Sequence, residues 1–161
     1  MTIPMQPSIK KLYETDYHQW VEETVQRLQE QDFESVDWEN LIEEIADLSR
    51  RQRDKLKSLL TRLFEHLLKL GYWKSERKYS GNHWKGEIRV FRASLVDTLT
   101  DSPSLKPYFA QVFEKCYNTA RKVASDVSGL PLETFPVEPI ATPEQVLDEN
   151  WFPSPLDEDS N

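Results

Sequence analysis

The chain has 161 residues, of which 20 are Lys or Arg and 28 are Asp or Glu, so its formal net charge is −8. Only 4 residues are glycine, too few for the many tight turns of a sheet-rich domain, which excludes an all-β fold. The single cysteine, Cys116, excludes an internal disulfide and a cysteine-based zinc site, and no segment approaches the ~20 apolar residues of a membrane span. Because no apolar run of the signal-peptide type opens the sequence, we expect a soluble cytoplasmic protein.

A first helix is predicted from Asp16 to Gln29, where apolar residues recur at helical spacing and Thr15 can serve as the cap. Residues 1–12 are expected to form an N-terminal tail, and residues 13–153 the folded domain. The segment 31–36 lacks the helical period and is predicted to be a connection.

The second predicted helix is unusually long. It is expected to begin after Asp37, a good N-cap, and to cover Trp38–Leu70, where no Pro or Gly forces a break. Gly71 is predicted to supply the left-handed residue that ends it. The helix carries one apolar stripe between Leu56 and Leu70 and an earlier one made of Trp38, Leu41, Ile42, Ile45 and Leu48.

After the long helix, a loop with a YSGN turn signal is predicted at Tyr72–Asn82, followed by a third helix at His83–Thr100. A fourth helix is predicted to end at Gly129. It is followed by a short helix at Pro143–Asp148 and a disordered acidic tail at 154–161. Each amphipathic face would leave an apolar stripe in water if it stayed alone. The sequence therefore predicts an all-α, single-domain bundle of about four helices, with one long helix and an extended C-terminal strap.

Several strings in this chain, taken in order, resemble a known family. They are YETDYHQW, DWENLIEEIADL, HLLKLGYW, HWKGEIRVFR, DSPSL and NTAR, followed by FPVEPIATPEQVLDENWFP. Over about Leu12–Pro153 the chain resembles the bacterial, mainly cyanobacterial family known as domain of unknown function 29. The resemblance implies a compact all-α fold and no particular activity. It singles out Trp20, Asp37, Glu43, Glu44, His66, Trp84, Arg92, Pro103, Ser104 and Arg121.

The resemblance has one visible departure. Between Arg89 and Arg92 the family commonly has a polar pair, whereas this chain has Val90 and Phe91. Any chemistry that depends on that polar pair is therefore expected to be absent here.

Charge is distributed along the chain in three blocks. Residues 1–49 hold 3 basic and 12 acidic groups (net −9), residues 50–92 hold 13 and 4 (net +9), and residues 93–161 hold 4 and 12 (net −8). One interpretation is that the acidic flanks fold over the basic centre and pair with it inside one fold. The alternative is that part of the basic block forms a surface that binds phosphates or an acidic partner.

Two groups of residues are candidates for chemistry on the long helix. Glu43, Glu44 and Asp47 lie within about one helical turn, where clustered carboxylates can bind a hard cation such as Mg²⁺. The competing interpretation is a solvated acidic face, or a set of partners for Arg89 and Arg92. His66 lies at the edge of the apolar stripe, where the imidazole is either a hydrogen-bonded packing residue or a metal ligand or proton carrier whose partner must come from another helix.

A basic and aromatic group is predicted on the third helix. Lys85, Arg89 and Arg92 recur at helical spacing next to Trp84, a combination that can bind single-stranded nucleic acid. The competing interpretation is that these cations anchor neighbouring carboxylates.

Three function hypotheses follow. The leading one is a non-enzymatic interaction or adaptor protein, which has a protein partner or associates with itself. It is supported by the missing catalytic constellation, the long helix and the charge blocks. The first alternative is a nucleic-acid-associated regulator that uses the basic 50–92 segment. The second is a metal-dependent hydrolase around His66 or the Glu43/Glu44 pair. The residues proposed to contact nucleic acid or an acidic partner are Arg50, Arg51, Arg53, Lys85, Arg89 and Arg92.

Overall fold

Six α-helices make up most of residues 5–154, the part of the chain that the computed structural model describes. In chain order they are α1 (Ile9–Thr15), α2 (Tyr17–Gln29), α3 (Trp38–Tyr72), α4 (Lys74–Asp101), α5 (Lys106–Ser128) and α6 (Pro143–Leu147). Short 3₁₀ turns lie at Phe33–Ser35, Pro103–Leu105 and Leu132–Thr134. No strand occurs in the described range, and the predicted all-α class is confirmed. The predicted acidic tail, apart from Ser154, lies outside the described residues.

The chain divides into two compact units, and the division falls inside α3. Unit 1 is Met1–Arg51 and unit 2 is Gln52–Asn161. No helix of residues 5–154 has the length together with the apolar character needed to cross a bilayer.

Unit 1 begins with a helix that the sequence pattern did not predict. Helix α1 starts inside the expected N-terminal tail, and its first turn is capped by Ser8, whose Oγ accepts a hydrogen bond from the Lys11 amide at 3.3 Å. The prediction that Thr15 caps the next helix is wrong, because Thr15 ends α1 and its hydroxyl donates to the Lys11 carbonyl at 2.9 Å. Asp16 caps α2 instead, accepting from the Gln19 amide at 3.1 Å.

Helix α3 confirms the prediction of one continuous long helix. Asp37 lies at its start, and its carboxylate accepts a hydrogen bond from the Asn40 amide at 3.4 Å, as an N-cap does. The predicted left-handed Gly71 is wrong, because Gly71 is helical and α3 runs on to Tyr72. A Cβ on Gly71 would lie 3.4 Å from Pro153, so the small residue leaves room for the chain end to pack there.

The predicted loop at Tyr72–Asn82 is also wrong, because α4 already begins at Lys74 and only Trp73 separates it from α3. Arg77, in the first turns of α4, donates to the carbonyls of Leu70 (2.6 Å) and Gly71 (2.7 Å). These carbonyls are among those left without helical partners at the end of α3. The YSGN segment forms part of α4 and not a turn, and Gly81 is buried there near Leu70 of α3.

The core of unit 2 is built from the apolar faces of α3, α4 and α5. Phe64 of α3 lies at its centre, in edge-to-face contact with the rings of Phe113 (5.0 Å) and Tyr117 (5.2 Å) of α5. Cys116 of α5 is also buried. The other fully buried core residues include Leu56, Leu60, Leu63, Leu67, Leu68, Ile88 and Leu95.

The segment after α5 is fixed to unit 2 by side chains that bind its backbone. Gly129 ends α5, as predicted, and does so in the left-handed region with φ 71°. Arg121 donates to the carbonyls of Phe135 (2.8 Å) and Leu132 (3.1 Å). A capping box formed by Thr142 and Gln145 begins α6, where the short helix was predicted, and Val146 of that helix is fully buried.

Candidate functional site

The clearest candidate site is an exposed apolar surface on α3 in unit 1. We define the α3 stripe as Trp38, Ile42, Ile45 and Leu48, which are 46%, 64%, 58% and 59% exposed. Phe33 of the preceding 3₁₀ turn extends it, with its ring 6.4 Å from that of Trp38. Within unit 1, the expectation that other helices would cover the predicted stripe is wrong for these four residues, whereas its fifth member, Leu41, is partly buried.

The stripe stays exposed because α1 and α2 pack against the polar side of α3. Tyr13 and Tyr17 donate hydrogen bonds to the two carboxylate oxygens of Glu44, at 2.6 and 2.8 Å. Glu44 and Ile42 are separated by about 160° around the helix, since each residue advances by about 100°. Unit 1 therefore places the side of α3 that carries Glu44 against α1 and α2 and leaves Trp38, Ile42 and Ile45 in solvent.

The buried polar contact in unit 1 also includes a carboxylate. Asp37 is almost completely buried, and its Oδ2 accepts hydrogen bonds from the Trp20 indole (3.2 Å) and from Asn40 Nδ2 (2.7 Å). The Trp20 ring also contacts those of Tyr13 (4.9 Å) and Tyr17 (5.8 Å). These contacts orient the start of α3 and hold its apolar side outward.

The same contacts change the acidity of the two tyrosines. The hydrogen bond to Glu44, with smaller contributions from burial and from the Glu44 charge, raises the pKa of Tyr13 to about 12. The hydrogen bond to Glu44 likewise raises the pKa of Tyr17. Both hydroxyls therefore stay protonated donors at neutral pH.

The three acidic residues of α3 that were candidates for binding a cation, Glu43, Glu44 and Asp47, are paired with other side chains of the protein. Glu43 and Asp47 both pair with Arg50, at 3.3 Å for Glu43, and Glu44 accepts from the two tyrosines described above. These partners all belong to unit 1, rather than being Arg89 or Arg92 as one interpretation held. Across residues 5–154, no three His, Cys, Asp or Glu side chains form a group that could hold a metal ion.

His66 packs against α4 and donates a hydrogen bond to a carbonyl of its own helix. Its Nδ1 lies 2.8 Å from the Arg62 carbonyl, so this nitrogen carries the proton and donates. Its ring makes an edge contact with Phe91 of α4 at 5.2 Å. In the described residues, the neighbour of the His66 ring from another helix is this aromatic side chain, which cannot exchange a proton or bind a metal. Burial lowers the pKa of His66.

Trp84 is part of the unit 2 core rather than a surface for stacking bases. Its ring is buried, stacks on Trp73 at 5.5 Å and lies 5.5 Å from Nζ of Lys69. Lys69 in turn pairs with Glu65 at 3.3 Å. The predicted combination of Trp84 with Lys85 and Arg89 on one open surface is therefore wrong.

The three cations predicted together on the third helix separate into two environments. Lys85 and Arg89 are exposed, whereas Arg92 is only 2% exposed. Arg92 donates from Nε to the Val146 carbonyl at 2.7 Å, and its guanidinium lies 5.6 Å from the Phe152 ring. Arg92 also lines a cavity of about 380 Å³ in unit 2. The interpretation that Arg92 contributes to an exposed basic patch is wrong.

The remaining predicted contact residues are exposed. Arg50 is engaged with Glu43 and Asp47, Arg51 is exposed in unit 1, and Arg53 in unit 2 lies 5.4 Å over the Tyr108 ring. In the described part of the chain, Arg50 is the one basic-block residue that forms an ion pair with the acidic flanks. Extensive pairing between the charge blocks is therefore absent there, and nucleic-acid binding by this segment stays a prediction.

Sequence reasoning missed the exposure of the α3 stripe and the burial of Arg92. A partial signal for the first was present, because Glu44 lies nearly opposite Ile42 on the helix, and Tyr13 and Tyr17 precede it in the chain as possible hydrogen-bond donors. No local signal distinguishes Arg92 from Arg89, because their difference depends on where residues 146–152 pack.

Comparison with known proteins identifies the family. A family model described as "Domain of unknown function DUF29" matches residues 12–152. The chain belongs to this family. The match confirms the family resemblance of the sequence strings, and the family description carries no activity that could be assigned to the α3 stripe or to Arg92. No curated protein and no solved structure matches the chain.

Proposed function

We propose that this DUF29 protein is a non-enzymatic interaction protein, and that unit 1 binds an amphipathic helix of a partner protein along the α3 stripe. The observation that carries the proposal is the inverted packing of α3, in which Glu44 faces α1 and α2 while Ile42 and Ile45 face solvent. Contiguous apolar surface of this kind is rare on proteins without partners and marks interaction sites.

The stripe has the spacing that helix-in-groove recognition uses. Trp38, Ile42 and Ile45 are separated by four and three residues, so they share one side of the helix and can serve as anchors. Burial of each of these half-exposed side chains contributes on the order of 1 kcal/mol. Four such residues, with an aromatic ring at one end, supply a hydrophobic centre for an interface.

Charge favours a basic partner over a second copy of this chain. Residues 1–51 hold 5 Lys and Arg against 12 Asp and Glu, a net charge of −7. Two such units repel each other, whereas a helix with Lys or Arg beside its apolar stripe is attracted and correctly oriented. The occupant proposed for the stripe is therefore a cationic amphipathic helix.

The test uses the full chain and two synthetic peptides of equal Leu and Lys composition. One peptide places Leu on a single helical face, and the other has the same residues in scrambled order. We expect the amphipathic peptide to bind with a change in tryptophan fluorescence, to which Trp38 contributes. The scrambled peptide is expected to bind at least about tenfold more weakly, because both peptides carry the same charge and only one presents an apolar face.

A matched pair of variants locates the binding surface. Ile42→Asn with Ile45→Asn removes apolar area without changing charge, and we expect it to abolish the preference for the amphipathic peptide. Val90→Asn, at a valine of α4 that is also exposed, is expected to keep that preference. Equal binding by the double variant would overturn the proposal. So would a dimer in sedimentation equilibrium that the double variant converts to monomer, because the occupant would then be a second copy.

A further inference from the structure

Unit 2 contains a buried cation whose hydrogen-bonding capacity is only partly used. Arg92 is 2% exposed, and its Nε donates to the Val146 carbonyl at 2.7 Å. Its Nη2 is buried and has no hydrogen-bond partner among residues 5–154. Buried polar groups in folded proteins are nearly always paired, and an unpaired group of this kind calls for an explanation.

The charge of Arg92 is also uncompensated by direct contact. Within the described residues, no carboxylate oxygen lies within 4.0 Å of its guanidinium nitrogens. Burial is the largest effect on Arg92 and lowers its pKa. The negative charge of Asp148 raises this pKa, and the positive charge of Arg89 lowers it. A buried cation without a hydrogen-bonded anion is costly, so an anion that enters beside it gains a strong interaction.

Space for such an anion exists next to Arg92. The lining of the cavity of about 380 Å³ includes two arginines, Arg89 and Arg92, and the apolar residues Val96, Leu147 and Phe152. Its volume falls in the range of about 300–1,000 Å³ that is usual for small-molecule sites. Such sites are mainly apolar and contain a few polar groups that orient the ligand, as here.

The acidic residues of the same cavity narrow the choice of anion. Asp97 and Glu149 also line it. They repel a doubly charged phosphate more strongly than a singly charged carboxylate, and phosphate has no apolar part to place against Phe152. A flat carboxylate matches the guanidinium in geometry as well as in charge.

We propose that the cavity lined by α4, Leu147, Glu149 and Phe152 binds a small monocarboxylate with an apolar body, whose carboxylate is held by the positive charges of Arg89 and Arg92 in the cavity lining. The apolar body packs on Val96, Leu147 and Phe152. This site lies wholly in unit 2 and does not depend on the α3 stripe.

The test measures binding of 4-fluorobenzoate to the full chain by fluorine NMR, with 4-fluorobenzamide as a neutral probe of the same shape. We expect saturable binding of the carboxylate that is at least about tenfold tighter than that of the amide, because only the carboxylate offers a charged acceptor. Inorganic phosphate at the same concentration is expected not to compete. Equal affinity for the two aromatic probes, no saturable binding of either, or full competition by phosphate would overturn the proposal.

Two variants locate the binding in this cavity without removing Arg92. Ala93 is exposed and lines the cavity, so Ala93→Trp fills the space while Arg92 keeps its contact with Val146. We expect this variant to lose the 4-fluorobenzoate signal. Val90→Trp, on the same helix but outside the cavity lining, is the matched control and is expected to bind as the natural chain does. Unchanged binding by Ala93→Trp would overturn the site assignment.

A third variant distinguishes a free ligand from the chain's own acidic end. Asp157→Asn, Glu158→Gln and Asp159→Asn together remove three negative charges that lie outside the described residues. We expect 4-fluorobenzoate affinity to change by less than about twofold, since the proposed occupant is a separate molecule. An increase of about tenfold or more would overturn the proposal, because the C-terminal carboxylates would then be the natural occupants of the cavity.

Discussion

The indole nitrogen of Trp20 donates a hydrogen bond to the carboxylate of Asp37 at 3.2 Å, and both side chains are almost completely buried. Asp37 also accepts from the amide of Asn40, so one carboxylate caps α3 and ties it to α2. This pair decides which side of α3 is covered in unit 1, and therefore that the α3 stripe is exposed.

We predict that Asp37→Ala destabilises unit 1 by about 2–3 kcal/mol, since it removes a helix cap and leaves the Trp20 N–H buried without an acceptor. Native-state hydrogen exchange of the α2 amides measures this loss within unit 1. Asp54→Ala, at an exposed position of the same helix, is the control and should cost less than about 0.5 kcal/mol. Equal α2 protection in the two variants would contradict the role given to Asp37.

The Tyr13–Glu44 contact predicts a dependence on alkaline pH. Because the pKa of Tyr13 is raised to about 12 in the folded chain, its contribution to stability is fully present below about pH 10, the unfolded value, and is lost as pH rises through the folded value. Glu44→Gln should lower the pKa of Tyr13 and of Tyr17, as followed by NMR of ¹³C-labelled tyrosine rings. Glu43→Gln makes the same charge change one residue earlier and should leave both titrations nearly unchanged; a Tyr13 pKa that does not respond to Glu44→Gln would refute this account.

His66 predicts a dependence on acidic pH. Burial lowers its pKa, so the folded chain favours neutral imidazole, and the stability that this provides is present above the unfolded pKa of about 6.5 and lost as pH falls through the folded value. His66→Phe should flatten the decrease in unfolding free energy between about pH 7 and about pH 5. Nitrogen NMR should also find the proton of neutral His66 on Nδ1, and a proton on Nε2 would disprove the hydrogen bond to Arg62.

Two glycines of unit 2 predict opposite effects of the same substitution. Gly86 is helical, exposed and has open space where a Cβ would stand, so Gly86→Ala should stabilise the chain by about 1 kcal/mol. Gly129 also has open space but a φ of 71°, so Gly129→Ala should destabilise it by about 1–2 kcal/mol. Urea denaturation of the two variants beside the natural chain measures both shifts, and shifts of the same sign would contradict the backbone assignment at Gly129.

Much of the fold follows from local pattern. Asp37 as a cap, the uninterrupted run over α3, Gly129 as a helix terminator and the capping box at α6 are all interactions within a few residues of the chain. Their geometry is set by neighbouring backbone groups, and sequence spacing is enough to predict them. The same reasoning fails at Gly71 and Gly81, which lie inside helices. A Cβ on Gly71 would meet Pro153 at 3.4 Å, a contact that no local spacing predicts, and a Cβ on Gly81 would meet Arg77 at 3.3 Å.

The candidate sites were less predictable than the helices. The stripe of Trp38, Ile42 and Ile45 was recognised, but its apolar composition predicted burial, and only the hydrogen bonds of Glu44 reverse that conclusion. Arg89 and Arg92 have the same chemistry and lie three residues apart on one helix. Their different exposure depends on the Val146 carbonyl, which comes from a segment 54 residues later in the chain.

By itself, the sequence determined that this chain is helical, where most of its helices begin and end, and to which family it belongs, because these properties depend on residue spacing and short-range capping. Only the tertiary structure decided which side of α3 meets solvent and which arginine of α4 is buried beside a cavity. Those outcomes depend on the pairing of individual polar atoms between distant segments, where a single buried hydrogen bond outweighs the average preference of a residue type for surface or core.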